Sequence, residues 1–353
     1  MNFQSEPKNI LVVKLGAIGD VIQSLPVIEQ LKANFPGCKI HWLIEDKAFP
    51  AVQFHPDVNF IVFNKSRIKS LNLLHSIPAL ASFLKELRSS SYDIALDLQG
   101  LFKSGILARL SQAKKVIGFH RSNTREGNHV FMDIMLSPLK GRSMHRIDFY
   151  LQTIPFLGKR LQDLEAPFNF TFTETELRLK RQLLHRFRVK NPIIFNLGAS
   201  KATKRWPDRY FAQLALKVRE KFPKSPILLC GNGFPDANSE REILKMVPPG
   251  TCVSAVNKTT LRELALLIKH SAFLVSADSA ALHLGSAFDI PSVGLFGGSA
   301  LAIQTGPYNP DSQGLDFPLG CYPCRKKTCS HMSCMEGITP ERAFSAILDL
   351  ELN

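Results

Sequence analysis

Four stretches of this sequence carry an apolar run into residues that can handle protons or phosphates. The first is KLGAIGD, residues 14–20, where Gly16 and Gly19 lead to Asp20. The glycines suit a tight strand-to-helix turn. The spacing is G-x-x-G, without the third glycine of a dinucleotide fingerprint or the lysine of a P-loop. A carboxylate therefore closes a turn where a phosphate cradle would present bare amides. Asp20 reads two ways: as a helix N-cap, or as a carboxylate kept ionised by helix amides and ready to take a proton from an attacking hydroxyl.

The second stretch, DLQGLFKSG, places Asp97, Gln99, Lys103 and Ser104 at the equivalent junction of another strand in the same half. A cap or a surface group is the plainer reading of each. The third, NLGASKATKRWPDRY, puts Lys201, Lys204 and Arg205 on a loop that ends in Trp206-Pro207-Asp208. Cations at the end of a strand suit a diphosphate, and a basic surface loop is the alternative. The fourth, FLVSADSAALHLG, runs from Asp278 through Ser279, Ala280 and Ala281 into a helix that carries His283. Small side chains there leave amides open, and a helix start with open amides attracts anions. His283 on an apolar helix reads more readily as packing than as chemistry. A fifth cluster, Cys321, Cys324, Cys329 and Cys334, has the spacing C-x2-C-x4-C-x4-C, with His331 inside it. Four such residues can form a structural zinc site; reduced thiols in a terminal loop are the alternative.

These loops need strands and helices to aim them. NILVVKL, CKIHWLIE, NFIVFN, YDIALDLQ and KKVIGF are strand candidates of one set. PIIFNLG, SPILLCGN, CVSA, AFLVSAD and PSVGLFG form a second set. Helical segments separate the runs, as in a parallel sheet covered on both faces. Pro26 marks a kink or a late start in the helix after Asp20. The charged stretch at about residues 165–190 contains the helix TETELRLKRQLLHRF and joins the two sets. The fold class is α/β, with two doubly wound domains spanning residues 1–170 and 171–353. Ligands of such sheets bind beyond the carboxyl ends of the strands, so two such domains facing each other would line a cleft with these loops.

Composition narrows the classes further. No run approaches the roughly 18 to 20 apolar residues of a membrane-spanning helix, and the polar first ten residues lack a signal-peptide core, so a cytoplasmic protein is expected. Net charge is +14, and residues 65–146 hold 14 Lys/Arg against 5 Asp/Glu. Such an excess attracts nucleic acid, an acidic membrane surface or a phosphorylated substrate. The chain lacks an RRM-type aromatic motif, which disfavours RNA. It also lacks G-x-G-x-x-G, which disfavours a nicotinamide dehydrogenase.

The first four loops, in this order and spacing, resemble glycosyltransferase family 9, the ADP-heptose:lipopolysaccharide heptosyltransferases. The residues that carry the resemblance are VVKLGAIGDVIQSLP, DLQGLFKS, KRWPDRYFAQLA and SADSAALHL, with TREGNHVFMD and HRIDFY near the end of the first half. The first half is most similar to heptosyltransferase I, the cysteine-rich tail to heptosyltransferase II and its relatives. The resemblance implies a GT-B fold of two Rossmann-like domains, the first binding a Kdo-containing lipid acceptor and the second ADP-heptose. It implies that Asp20 is the general base of an inverting transfer. Lys204 then contacts the donor diphosphate, Asp278, Ser279 and Ala280 form the donor loop beside His283, and Glu240 of NSEREI meets the adenosine ribose. Gln99, Lys103 and the basic residues Lys65, Arg67, Lys69 and Arg125 would meet the acidic acceptor at the cytoplasmic face of the inner membrane. No cofactor is required, and zinc at the cysteines would be structural. Ala280 stands where the family usually has Gly. If that position needs positive φ, alanine costs about 1 kcal/mol there. Heptosyltransferase II activity, a different polysaccharide or protein acceptor, and a non-catalytic basic nucleic-acid-binding protein stay open as alternatives.

Overall fold

The computed structural model describes residues 5–70, 73–141, 143–164, 167–298, 300–324, 326 and 328–350, leaving aside the side chains of residues 68–70, 73 and 74. The chain divides into two units, Met1–Thr171 and Phe172–Asn353.

The first unit holds six parallel strands: β1 (Asn9–Val13), β2 (Lys39–Glu45), β3 (Val58–Phe63), β4 (Ile94–Asp97), β5 (Lys115–Gly118) and β6 (Ile134–Met135). Its helices are α1 (Ile18–Ile22), α2 (Leu25–Asn34), α3 (Lys65–Ser70), α4 (Leu73–Leu87), α5 (Phe102–Leu110), α6 (Arg146–Leu151) and α7 (Thr153–Phe156). The strand order is β3-β2-β1-β4-β5-β6. Every residue of β4 and all but the first of β1 are buried, which explains why both read as unbroken apolar runs and not as alternating ones. The glycine turn gives α1 only five residues; α2 then begins at Leu25 with Pro26 in its first turn. Proline costs nothing there, because the first amides of a helix have no intrahelical partner. Pro26 thus marks a late start.

The second unit repeats the plan. Its strands are β7 (Ile193–Asn196), β8 (Ile227–Cys230), β9 (Cys252–Ser254), β10 (Phe273–Ala277), β11 (Ser292–Phe296) and β12 (Ser312–Asp316), in the order β12-β11-β10-β7-β8-β9 and all parallel. The helices are α8 (Glu174–Phe187), α9 (Asp208–Lys221), α10 (Phe234–Met246), α11 (Leu261–Lys269), α12 (Ala280–Ala287), α13 (Ala302–Thr305), α14 (Ser333–Glu336) and α15 (Pro340–Leu348). Thr173 opens α8 with a reciprocal cap to Glu176, the S/T-x-x-E signature of a helix start. Trp206 anchors the loop after β7: its ring lies in the core with Phe211 and Leu214, and its Nε1 donates to Ile338 O at 2.8 Å.

Each sheet therefore reverses its strand order once, between β1 and β4 in the first unit and between β7 and β10 in the second. Those two reversals are the points where a doubly wound sheet opens a crevice for ligands. Two units of this topology make the chain a GT-B-like α/β protein.

Candidate functional site

The loops that leave the strands at each reversal are the four stretches rich in polar residues. In the first unit they follow β1 and β4. Asp20 sits in the first turn of α1, but Ala17 is the N-cap and makes no side-chain capping bond. The N-cap reading of Asp20 does not hold. Its carboxylate instead accepts from Tyr150 Oη, which reaches Oδ1 at 3.4 Å from α6. Tyr150 in turn accepts from Lys14 Nζ at 2.7 Å.

Gln99 explains why this glycine turn is no phosphate cradle. Its Oε1 accepts from the amides of Leu15 and Gly16, both at 3.1 Å. The amides that an anion would need are taken by a neutral side chain from the neighbouring strand's loop. Gln99 is itself held: Asp97 Oδ1 accepts from the amides of Gln99 and Gly100, while Oδ2 accepts from Ser104 Oγ and Asn128 Nδ2. Burial pushes the Asp97 carboxyl up, against the lowering effect of these donors. Asp97 thus fixes the loop from below.

The cations expected for an acceptor are placed unevenly. Lys65 and Lys103 converge on Glu45, at 3.3 and 2.7 Å from its Oε1. Arg125 is exposed, and its amide donates to Gly100 O, which ties it to the loop of Gln99. Arg67 is exposed on α3; the side chain of Lys69 lies outside what the structure describes.

In the second unit the loops follow β7 and β10. Lys204 Nζ pairs with Asp278 Oδ2, and His283 Nε2 lies 3.6 Å from Asp278 Oδ1. Burial works against ionisation of Asp278, but the His283 ring and the Lys204 ammonium outweigh it and hold the carboxyl down at about 2. His283 is therefore part of the cluster, packed and in contact at once. Ser279 is the N-cap of α12 by position, yet its hydroxyl pairs with Asn196 and Ser276 instead of the helix. The first amides of α12 consequently receive no side-chain cap. Ala280 is the first residue of α12 and is absent from the positions of positive φ. The strain that alanine would carry there does not arise, because the local backbone is helical. Glu240, on α10, has a buried Oε1 with no hydrogen-bond partner among the described residues. A buried acceptor without a donor is rare and calls for one.

The cysteines do not form the zinc site that their spacing allows. Among the described residues no group of three or more His, Cys, Asp or Glu side chains is gathered to hold a metal ion. Cys334 is buried in the core of the second unit, Cys321 is exposed, and all are free thiols. The backbone amides of His331 and Met332 lower the Cys329 thiol.

Sequence reading missed several participants. Lys14 is a lysine inside an apolar run, and its full burial is the signal that was available only in part. Tyr150 stands 136 residues from Lys14. Asp236 is buried at the start of α10, where it pairs with Arg205 and accepts from the amide of Asn232. Glu45 gathers two lysines. None belongs to a local pattern.

Comparison with known proteins agrees with this geometry. The sequence profile described as Glycosyltransferase family 9 (heptosyltransferase) matches residues 80–334. The chain is 28% identical to lipopolysaccharide heptosyltransferase 1 of Pseudomonas aeruginosa over 93% of its own length and 89% of that relative. Its fold is similar to a family 9 glycosyl transferase from Veillonella parvula, with a TM-score of 0.80 at 22% identity, covering 97% of this chain and 96% of that one. It is also similar to E. coli heptosyltransferase WaaC with ADP-2-deoxy-2-fluoro heptose, with a TM-score of 0.74 at 19% identity, covering 97% and 99%.

Proposed function

The chain belongs to glycosyltransferase family 9, and from there we propose that it transfers heptose from ADP-heptose to a Kdo hydroxyl of the lipopolysaccharide inner core, with inversion. The observation that carries this reading is the division of charge between two equivalent places. The first unit's strand reversal presents the carboxylate of Asp20. The second presents Lys204 and the uncapped amides of α12, and α10, which follows β8, adds a buried oxygen of Glu240 without a hydrogen-bond partner among the described residues.

The chemistry follows from those groups. Asp20 accepts the proton of the acceptor hydroxyl as its oxygen attacks the anomeric carbon of the heptose. The new C–O bond forms as the bond from that carbon to the diphosphate oxygen breaks. The electron pair leaves with ADP, and Asp20 later gives its proton to water. One displacement at one carbon inverts its configuration. The charge that grows on the leaving diphosphate meets the Lys204 ammonium and the amides at the start of α12, and interactions that strengthen with that charge speed the step. Asp278, held ionised, keeps Lys204 and His283 in place. Glu240 is suited to accept from the ribose hydroxyls. Arg125, beside Gln99, and the Lys65–Glu45–Lys103 cluster are suited to the phosphates of a Kdo-lipid acceptor.

A peripheral contact with the inner membrane fits the same unit. Helix α4 exposes Ile77 and Leu80, at 62% and 42%, next in sequence to the basic helix α3. Among the described residues, no helix is long and apolar enough to cross a membrane. Resemblance to the relative named heptosyltransferase 1 favours addition of the first heptose. The deciding assay measures ADP release from ADP-heptose with Kdo-lipid A and with heptosylated Kdo-lipid A. Turnover with the first alone supports the proposal. Turnover with the second alone moves the assignment to second-heptose addition, and turnover with neither overturns the acceptor class.

A further inference from the structure

Lys14 is fully buried at the carboxyl end of β1, an expensive place for a lysine. Its Nζ donates to Leu98 O at 3.3 Å and to Tyr150 Oη at 2.7 Å. Tyr150 is also buried, and its hydroxyl lies 3.4 Å from Asp20 Oδ1. The direction of these bonds is fixed by chemistry. An ammonium only donates, an ionised carboxylate only accepts, and a phenol has one proton to give. The phenol must therefore accept from Lys14 and donate to Asp20.

We propose that Lys14 and Tyr150 are positioning residues that hold Oδ1 of Asp20 at the end of a one-way chain of donors, leaving Oδ2 to take the acceptor's proton. The assignment rests on Asp20 being the base of the transfer. The chain survives the reaction, because Oδ1 remains an acceptor after Oδ2 is protonated. Burial pushes the Tyr150 hydroxyl well up, with Asp20 pushing the same way, so the phenol keeps its proton. Burial holds Lys14 below its ordinary value, with Asp20 opposing it. Two other charged groups face the trio: Arg146 from α6, which lowers both Lys14 and Tyr150, and Asp97 from β4, which supports the lysine's charge. Gln99 fixes the backbone of the turn but does not touch the carboxylate, so aiming Asp20 falls to the phenol.

The test is steady-state kinetics of the full chain with ADP-heptose and Kdo-lipid A, run on Tyr150→Phe, Lys14→Met and Asp20→Ala. Tyr150→Phe keeps the ring and removes one oxygen. Its kcat falls roughly tenfold, with the donor KM unchanged. Lys14→Met lowers kcat in the same way. A Tyr150→Phe enzyme with unaltered kcat overturns the proposal, as does one whose donor KM rises in step with the loss. If Asp20→Ala retains full activity, it is the base assignment that fails, and this one with it. If Asp20→Ala is inactive and Tyr150→Phe keeps its kcat, only the positioning role fails. Should Lys14→Met not fold, Tyr150→Phe alone decides.

Discussion

Asp278 couples the stability of the second unit to pH. Its carboxyl is held at about 2 in the folded chain, against about 3.9 for a free aspartate. A depressed carboxyl stabilises the fold above its unfolded value, and that contribution is lost as pH falls through the folded one. Asp278→Asn should therefore melt below the parent chain at pH 7, with the deficit shrinking as pH drops from about 4 toward 2; thermal melts at both ends of that window check it. Lys204→Ala removes the group proposed to meet the leaving diphosphate and leaves the buried Asp278 carboxylate beside His283. We expect kcat/KM to fall by about 10²–10³, measured by ADP release. Lys204→Arg should restore little, since a planar fork does not replace a point charge.

At the scale of elements, each unit ties its two reversal loops together with one amide side chain. Gln99 does so in the first unit. Asn196 does so in the second, where its Nδ2 donates to Ser276 Oγ and Ser279 Oγ, both at 3.1 Å. Gln99→Met keeps the bulk but frees the amides of Leu15 and Gly16. It should lower kcat by between tenfold and 10²-fold through misplacement of Asp20, with the donor KM unchanged, and steady-state kinetics in both substrates check this. The same scale shows what the sequence made legible. β1, β2, β4, β5, β7, β8, β10 and β11 stood out because their residues are largely buried and read as apolar runs, whereas β3 and β9 were legible from apolar residues that are mostly only half-buried. β6 spans two residues, and β12, SQGLD, buries only Leu315, so neither edge strand had a run to read. Asp278 was legible as a candidate because it directly follows β10, and Asp20 and Lys204 because they stand in the polar stretches that begin at the ends of β1 and β7. Tyr150 was not, because its partners come from a strand and a turn some 130 residues earlier.

The whole molecule carries +14, much of it between Lys65 and Arg146. Binding to vesicles that contain anionic lipid should weaken as salt rises, and Ile77→Glu with Leu80→Glu should weaken it further; co-sedimentation measures both. Chelator treatment should leave the melting temperature unchanged, since the cysteines gather no metal-ligand set among the described residues. Family membership replaces the picture of a basic nucleic-acid binder with that of a glycosyltransferase. The most direct test of that account is single-turnover transfer from ADP-heptose to Kdo-lipid A by Asp20→Ala, with ADP binding measured alongside by calorimetry. The account predicts a rate lower by about 10²–10⁴ and unchanged ADP affinity. Undiminished transfer by Asp20→Ala would contradict it.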